Sequence, residues 1–182
     1  MALPGTLYRF EIDVSDTDRG VYEVVELRVV QHPSESVPYL LTRLVAYALN
    51  LQEGLAMSKE GLCQVEDPAL FVDDLTGQRQ IWIEVGCPSA ERLHKASKAA
   101  GAVRVYVHKA VEPWLRQVVG KTIHRRQEVE AFALPPEGLE ALGQSLKRNN
   151  QWVLVHTEGQ LYITANDETF ELEVTRHSLE PS

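Results

Sequence analysis

A strand, a helix and a second strand follow one another between Gln80 and Val107, and this order limits the folds open to the chain. Three residues form the apolar face of the first strand: Ile81, Ile83 and Val85. Glu84 lies on the opposite face near the strand end. Ser89 is placed to cap the following helix. Because such units join parallel strands by a right-handed crossover, residues 86–89 are predicted at the strand ends where open sheets bind ligands.

Antiparallel strands are predicted at both ends of the chain. Residues 6–14 and 22–30 alternate apolar and polar side chains on either side of an Asp- and Gly-containing turn, which is typical of a hairpin. Residues 152–175 contain three further alternating segments, separated by Glu158-Gly159 and Asn166-Asp167. The end of the chain is therefore predicted to be a meander.

The longest apolar periodicity predicts a helix over residues 37–49, with Ser34 or Ser36 as its N-cap. A polar stripe on this helix is expected to face solvent, or else a site: Arg43, Tyr47 and Asn50. Asp67-Pro68 would cap a short helix that runs through Asp73, or else residues 69–74 form a strand paired with residues 80–85. Together the elements predict an α/β fold, a mixed sheet with flanking helices and antiparallel strands at both ends of the chain.

Composition favours a single domain spanning residues 1–182 in a soluble, cytoplasmic protein. The chain is 44% hydrophobic, and no apolar stretch approaches the ~20 residues that span a bilayer. Cys63 and Cys87 form no CxxC pair, which favours a reducing compartment. The net charge of −8 argues against broad nonspecific binding to nucleic acid, although residues 121–126 contain a local basic run.

Asp74 and Glu84 are the candidate ligands for a divalent metal, because paired carboxylates hold Mg²⁺ beside a phosphate. Asp74-Leu75-Thr76-Gly77 also matches a type I turn, in which Asp74 would bond its own backbone. A regular hairpin would separate Asp74 from Glu84 by ~20 Å at ~3.3 Å per residue. A shared ion therefore requires either an irregular hairpin or the use of Asp67 in place of Asp74.

Several motifs, in this order, resemble those of the YaeQ family of bacterial proteins. They span nearly the whole chain: His32-Pro33-Ser34-Glu35, Asp67-Pro68, Asp74-Leu75-Thr76-Gly77, Trp82-Ile83-Glu84-Val85-Gly86, Arg92-Leu93 and Lys95-Ala96. That family is similar in fold to the PD-(D/E)XK nucleases. The resemblance therefore implies a restriction-endonuclease-like core, and the order of elements predicted above agrees with it.

The resemblance also implies a function, metal-dependent hydrolysis of phosphodiester bonds in nucleic acid. Asp74 and Glu84 would bind Mg²⁺ or Mn²⁺, and Lys95 and Glu35 would support cleavage. This sequence departs from the nuclease motif at Gly86, where nucleases carry a Lys, and Lys95 on the next helix would take over that role. The alternatives are a noncatalytic module that binds nucleic acid or protein, and a phosphate binder that uses the helix N-terminus at Ser89.

Overall fold

The computed structural model describes residues 4–58 and 66–181. In chain order the strands are β1 (Thr6–Asp16), β2 (Val21–Gln31), β3 (Leu55–Met57), β4 (Leu70–Asp73), β5 (Arg79–Val85), β6 (Ala102–Val107), β7 (Val129–Ala133), β8 (Asn149–Thr157), β9 (Gln160–Ala165), β10 (Glu168–Glu173) and β11 (Thr175–Ser178). The helices are α1 (Val37–Leu49), α2 (Ala90–Ala99), α3 (Val111–Val118) and α4 (Pro136–Gln144).

The strands form two mixed sheets, whereas the sequence predicted a single one. The first sheet has the order β10-β9-β8-β1-β2, and the second has the order β11-β7-β6-β5-β4-β3. The predicted hairpin and meander are present, and they join because β1 pairs in parallel with β8, with Asp16 opposite His156. This pairing links residues about 140 positions apart, so alternation within either segment could not predict it.

Helices α1 and α4 pack against each other between the two sheets. Alternate side chains of β1, including Phe10 and Ile12, share one core with α1 and with Ile83 of β5. Helices α2 and α3 cover the other face of the second sheet, where Trp82 and Leu93 belong to a separate cluster. The apolar faces predicted for β1, β5 and α1 are therefore largely buried, and β5 is covered on both faces.

The central unit has the predicted form. β5 and β6 pair in parallel, with Glu84 opposite Val105, and α2 connects them. Residues 70–73 form a strand antiparallel to β5, so the strand alternative is correct and the short helix is wrong. Gly86 follows β5 with a φ of 111°, a conformation that favours glycine. In the described part of the chain, no helix is long and apolar enough to cross a membrane.

Candidate functional site

Glu84 lies at the carboxyl end of β5 and is 6% exposed. Its Oε1 accepts hydrogen bonds from Trp82 Nε1 at 2.6 Å and from Arg92 Nε at 2.7 Å. Burial raises the pKa of the Glu84 carboxyl, although both donors act in the opposite direction. A carboxyl at a strand end whose pKa is shifted by burial is a frequent feature of functional sites.

Arg92 connects Glu84 to the segment that precedes β4. Ser89 caps α2 by accepting a hydrogen bond from Arg92 N at 3.1 Å, which fixes the start of the helix beside the end of β5. The Arg92 guanidinium also donates to the carbonyl oxygen of Asp67 at 2.9 Å and lies 5.8 Å from the ring centre of Trp82. The backbone of Asp67 is thus held next to Glu84 by one side chain.

A second ion pair, between Glu35 and Arg43, lies at the start of α1. Glu35 Oε1 is 2.8 Å from Arg43 Nε and 2.6 Å from Arg43 Nη2, and both side chains are almost fully buried. The other Glu35 oxygen accepts a hydrogen bond from His32 N at 3.2 Å. Glu35 therefore has hydrogen-bond partners on both oxygens.

The pKa of the Tyr39 hydroxyl depends on burial and on the charges of both ion pairs. Burial raises the pKa of Tyr39 to about 12, and the charges of Arg43, Glu35, Glu84 and Arg92 act on the same hydroxyl. The phenol is therefore neutral near pH 7 and able to donate a hydrogen bond.

His108 follows β6 and packs edge-on against Tyr39, with ring centres 5.8 Å apart. Burial and, to a lesser extent, the nearby Lys109 lower the pKa of His108, which favours its neutral form. We call Glu84, Arg92, Glu35, Arg43, Tyr39 and His108 the strand-end cluster. It combines two ion pairs with two uncharged polar rings.

Asp74 lies outside the strand-end cluster. Its Oδ1 accepts hydrogen bonds from Thr76 N, Thr76 Oγ1 and Gln78 N, and its Oδ2 accepts one from Gln80 Nε2. These hydrogen bonds lower the pKa of Asp74. The carboxylate therefore stabilises its own turn, as the type I turn interpretation predicted.

The register of the β4–β5 hairpin separates Asp74 from Glu84. Asp73 pairs with Arg79, and Glu84 lies five residues further along the strand, which is about 16 Å at ~3.3 Å per residue. The hairpin is irregular between Val72 and Asp73, but the shift is too small to bring the two acids together. The expectation that Asp74 and Glu84 share one ion is therefore corrected, since the distance exceeds the reach of their side chains.

Asp67 is much closer to Glu84. Because Leu70 pairs with Ile83, the same register would place Ala69 opposite Glu84, so Asp67 lies just beyond this end of the hairpin. Its side chain is exposed. Of the two acids considered in the sequence, the structure brings Asp67 and not Asp74 toward Glu84.

Lys95 lies at the surface, where its Nζ is 3.4 Å from Glu91 Oε1 and its side chain is 75% exposed. Arg92, three residues earlier on the same helix, makes the contact with Glu84 that we expected Lys95 to make. Both residues follow Ser89 closely, and only Arg92 is on the face of α2 that meets β5.

The polar stripe on α1 does not face solvent. Arg43 is 3% exposed and Asn50 is 1% exposed, whereas Tyr47 is half-buried. Asn50 Nδ2 donates to the hydroxyl of Tyr106 at 2.8 Å, and Arg43 pairs with Glu35. The expectation of a solvated stripe was wrong because Arg43 pairs with the acid that precedes α1 and Asn50 contacts Tyr106 of β6.

The basic run at residues 121–126 has structural roles. Arg125 donates to the carbonyl oxygens of Ser97 and Ala100, where α2 ends, and Arg126 donates to the carbonyl oxygen of Lys121.

The Cys87 thiol is exposed and its pKa is raised by desolvation, so it is not activated. Cys63 lies outside the described residues.

Comparisons with known proteins agree on one family. The family model for YaeQ protein matches residues 1–174. "Uncharacterized protein YaeQ" of Escherichia coli (strain K12) is 25% identical over 177 residues, which cover 96% of this chain and 97% of the relative.

Two crystal structures of YaeQ proteins are similar over the same length. The protein from Pseudomonas syringae has a TM-score of 0.88 and 31% sequence identity, covering 97% of this chain and 98% of that chain. The protein from Xanthomonas axonopodis pv. citri has a TM-score of 0.87 and 29% identity, covering 97% and 99%.

Proposed function

The chain belongs to the YaeQ family, and we propose that it hydrolyses phosphodiester bonds of nucleic acid with Mg²⁺ or Mn²⁺ on a fold related to the PD-(D/E)XK nucleases. The supporting observation is the way in which the two carboxylate oxygens of Glu84 are used. Both hydrogen bonds that it accepts from the described residues go to Oε1, which leaves Oε2 for another ligand. This oxygen lies at the carboxyl ends of two parallel strands, where α/β folds commonly bind ligands.

The residues present fit an oxygen-coordinated divalent ion. Mg²⁺ is commonly bound through one or two carboxylates while it keeps several water molecules. Glu84 Oε2 and the exposed carboxylate of Asp67 would hold it, with Asp67 in the place that the sequence first suggested for Asp74. When bound, such an ion polarises a phosphoryl oxygen and lowers the pKa of a bound water.

The remaining residues of the strand-end cluster would position the substrate. Arg92 holds Glu84 through Oε1 and so fixes the direction of Oε2. Tyr39 remains protonated near neutral pH and can donate a hydrogen bond to a phosphate oxygen. Glu35 supports this arrangement indirectly, through its ion pair with Arg43.

The second candidate function is noncatalytic binding of nucleic acid or of a protein partner. It is favoured by the pairing of both buried acids with arginine, since Arg92 and Arg43 compensate charge that a cation would otherwise neutralise. The glycine at position 86 also leaves the strand without the lysine of the nuclease motif.

Cleavage of labelled single- and double-stranded DNA and RNA in Mn²⁺ distinguishes the two candidates. The wild-type protein should cleave at least one of these substrates, Glu84→Gln should not, and Asp74→Asn should cleave like the wild type. Salt-sensitive binding without cleavage would support the noncatalytic candidate. Cleavage that survives in Glu84→Gln would rule out the strand-end cluster as its source.

A further inference from the structure

A second group of ionisable side chains lies at the other end of α1, where β1 meets β8. Asp16 ends β1, Asp18 lies in the turn that follows, and His156 is opposite Asp16 in the parallel register. His156 Nδ1 is 3.0 Å from Asp16 Oδ1 and 3.7 Å from Asp18 Oδ2. One ligand atom from each residue lies within 4.8 Å of the others, which is close enough for one metal ion to contact all three.

One oxygen of Asp16 has no hydrogen-bond partner among the described residues. The Asp16 side chain is fully buried, and its Oδ1 accepts from Arg19 N and lies beside His156 Nδ1. Its Oδ2 is buried and accepts no hydrogen bond. Arg19 Nη1 is 3.9 Å from this oxygen but donates to the carbonyl oxygen of Leu49 instead. A buried carboxylate oxygen in this state is costly unless a cation or another ligand satisfies it.

The same three residues line an open cleft of about 420 Å³. Asp18 is positioned by the backbone N–H groups of Glu158 and Gly159, which donate to its two oxygens at 2.8 and 3.3 Å. Its side chain is 36% exposed, so the cluster is accessible from solvent on the Asp18 side. An ion could therefore enter, and a water molecule could complete its coordination.

We propose that Asp16, Asp18 and His156 bind a first-row transition-metal ion of the Zn²⁺ type. An imidazole nitrogen with two carboxylate oxygens suits Zn²⁺ better than Mg²⁺ or Ca²⁺, which prefer all-oxygen sites. Three protein ligands and one water molecule are the usual set of an open tetrahedral zinc site. The ion would occupy the position facing Asp16 Oδ2, and its bond to His156 would take the place of the contact between His156 Nδ1 and Asp16 Oδ1.

This site is independent of the function proposed for the strand-end cluster. Its residues come from β1, the turn after it and β8, whereas Glu84 and Arg92 come from β5 and α2. Loss of one site by mutation should therefore leave the other intact, and each proposal has its own test.

The test is Zn²⁺ titration by calorimetry on the intact protein at fixed pH, together with Co²⁺ absorption spectroscopy as a second readout. The wild type should bind one Zn²⁺ tightly at this site, and the Co²⁺ spectrum should be that of a tetrahedral ion without thiolate ligands. His156→Gln and Asp18→Asn should each weaken binding by at least about 100-fold, the upper end of the effect of removing a residue that only supports a ligand.

His177→Gln is the matched control, because His177 lies on β11, outside the cluster, and bonds Thr175 through Nε2. It should bind Zn²⁺ like the wild type. Asp18→Asn removes a partly exposed charge, so a variant that still folds is available even if His156→Gln is unstable. An absence of Zn²⁺ binding in the wild type, or equal affinity in Asp18→Asn, would overturn the proposal.

Discussion

Arg92 and Glu84 form an ion pair between the first turn of α2 and the end of β5, with Arg92 Nε 2.7 Å from Glu84 Oε1. Because Ser89 caps α2 through the backbone of Arg92, the start of the helix and the contact to Glu84 are fixed by adjacent residues. The carboxylate of Glu84 is thus held in place although burial favours its neutral form.

Replacement of Arg92 by methionine should destabilise the protein by about 2 kcal/mol, because it leaves a buried carboxylate without its cation. Urea denaturation followed by tryptophan fluorescence measures this change, since Trp82 contacts Glu84. The double variant Arg92→Met with Glu84→Gln should recover part of the loss. Equal stability of Arg92→Met and the wild type would show that the ion pair contributes little.

Glu84 should make the protein less stable as pH rises. Burial raises its pKa in the folded state above the ordinary value of about 4.3, so the folded protein binds this proton more readily than the unfolded chain does. Its stabilising contribution is therefore complete below about pH 4.3 and is lost as pH rises through the folded pKa. Relative to wild type, Glu84→Gln should gain stability across this window.

Asp74→Asn is the control, because the contribution of Asp74 to stability should change with pH in the opposite direction to that of Glu84. Hydrogen bonds lower the pKa of Asp74 in the folded state, so its contribution is present above the unfolded pKa and is lost as pH falls through the folded one. Denaturation curves between pH 3 and pH 8, taken in steps of about one pH unit, compare the two variants. If the stability difference from wild type changed with pH in the same direction for both variants, burial would not be the cause of the Glu84 shift, or the turn hydrogen bonds would not be the cause of the Asp74 shift.

The buried Glu35–Arg43 ion pair and the exposed Lys95–Glu91 ion pair should differ sharply in their contributions to the free energy of unfolding. Arg43→Met leaves the fully buried Glu35 unpaired and should cost about 3–5 kcal/mol. Lys95→Ala removes an exposed ion pair with Glu91 and should cost less than about 0.5 kcal/mol. Chemical denaturation of both variants provides the comparison, and a large loss in Lys95→Ala would mean that this lysine has a buried partner in solution.

Position 86 should not accept the lysine of the nuclease motif. Gly86 has a φ of 111°, and an added Cβ would meet no atom within 4 Å, so the cost of a side chain comes from the backbone. Gly86→Lys and Gly86→Ala should therefore destabilise the protein by a similar amount, about 1–3 kcal/mol. A stable Gly86→Lys variant would show that the backbone at this position adapts easily.

Local periodicity was enough to predict most elements of the fold. Alternation along β1 and β5 and the helical repeat of α1 each identify a buried face, because burial of that face is what selects the pattern. The parallel contact between β1 and β8 could not be predicted in this way, and it joins the opening hairpin and the closing meander into one sheet. Asp16 and His156 are neighbours only because of that contact.

The candidate site was harder to predict than the fold. Glu84 was identifiable from its place at a strand end, but its partner Arg92 was not. Arg92 and Lys95 are both basic, lie three positions apart on α2 and follow the same cap, and only Arg92 contacts β5. Asp74 was misleading because an acidic residue before a glycine suits both a metal site and a turn. The Ser89 cap was the available signal for Arg92, since it sets which residue of the first turn faces the strand.

The central claim is that Glu84 and Asp67, and not Asp74, bind a divalent ion. The most direct test is Mn²⁺ titration by calorimetry in the His156→Gln background, which removes the contribution of the second site. We expect one Mn²⁺ to bind, with affinity reduced at least about 10-fold by Glu84→Gln and by Asp67→Asn, and unchanged by Asp74→Asn. Absence of Mn²⁺ binding in this background, or binding that Glu84→Gln does not weaken, would contradict the claim.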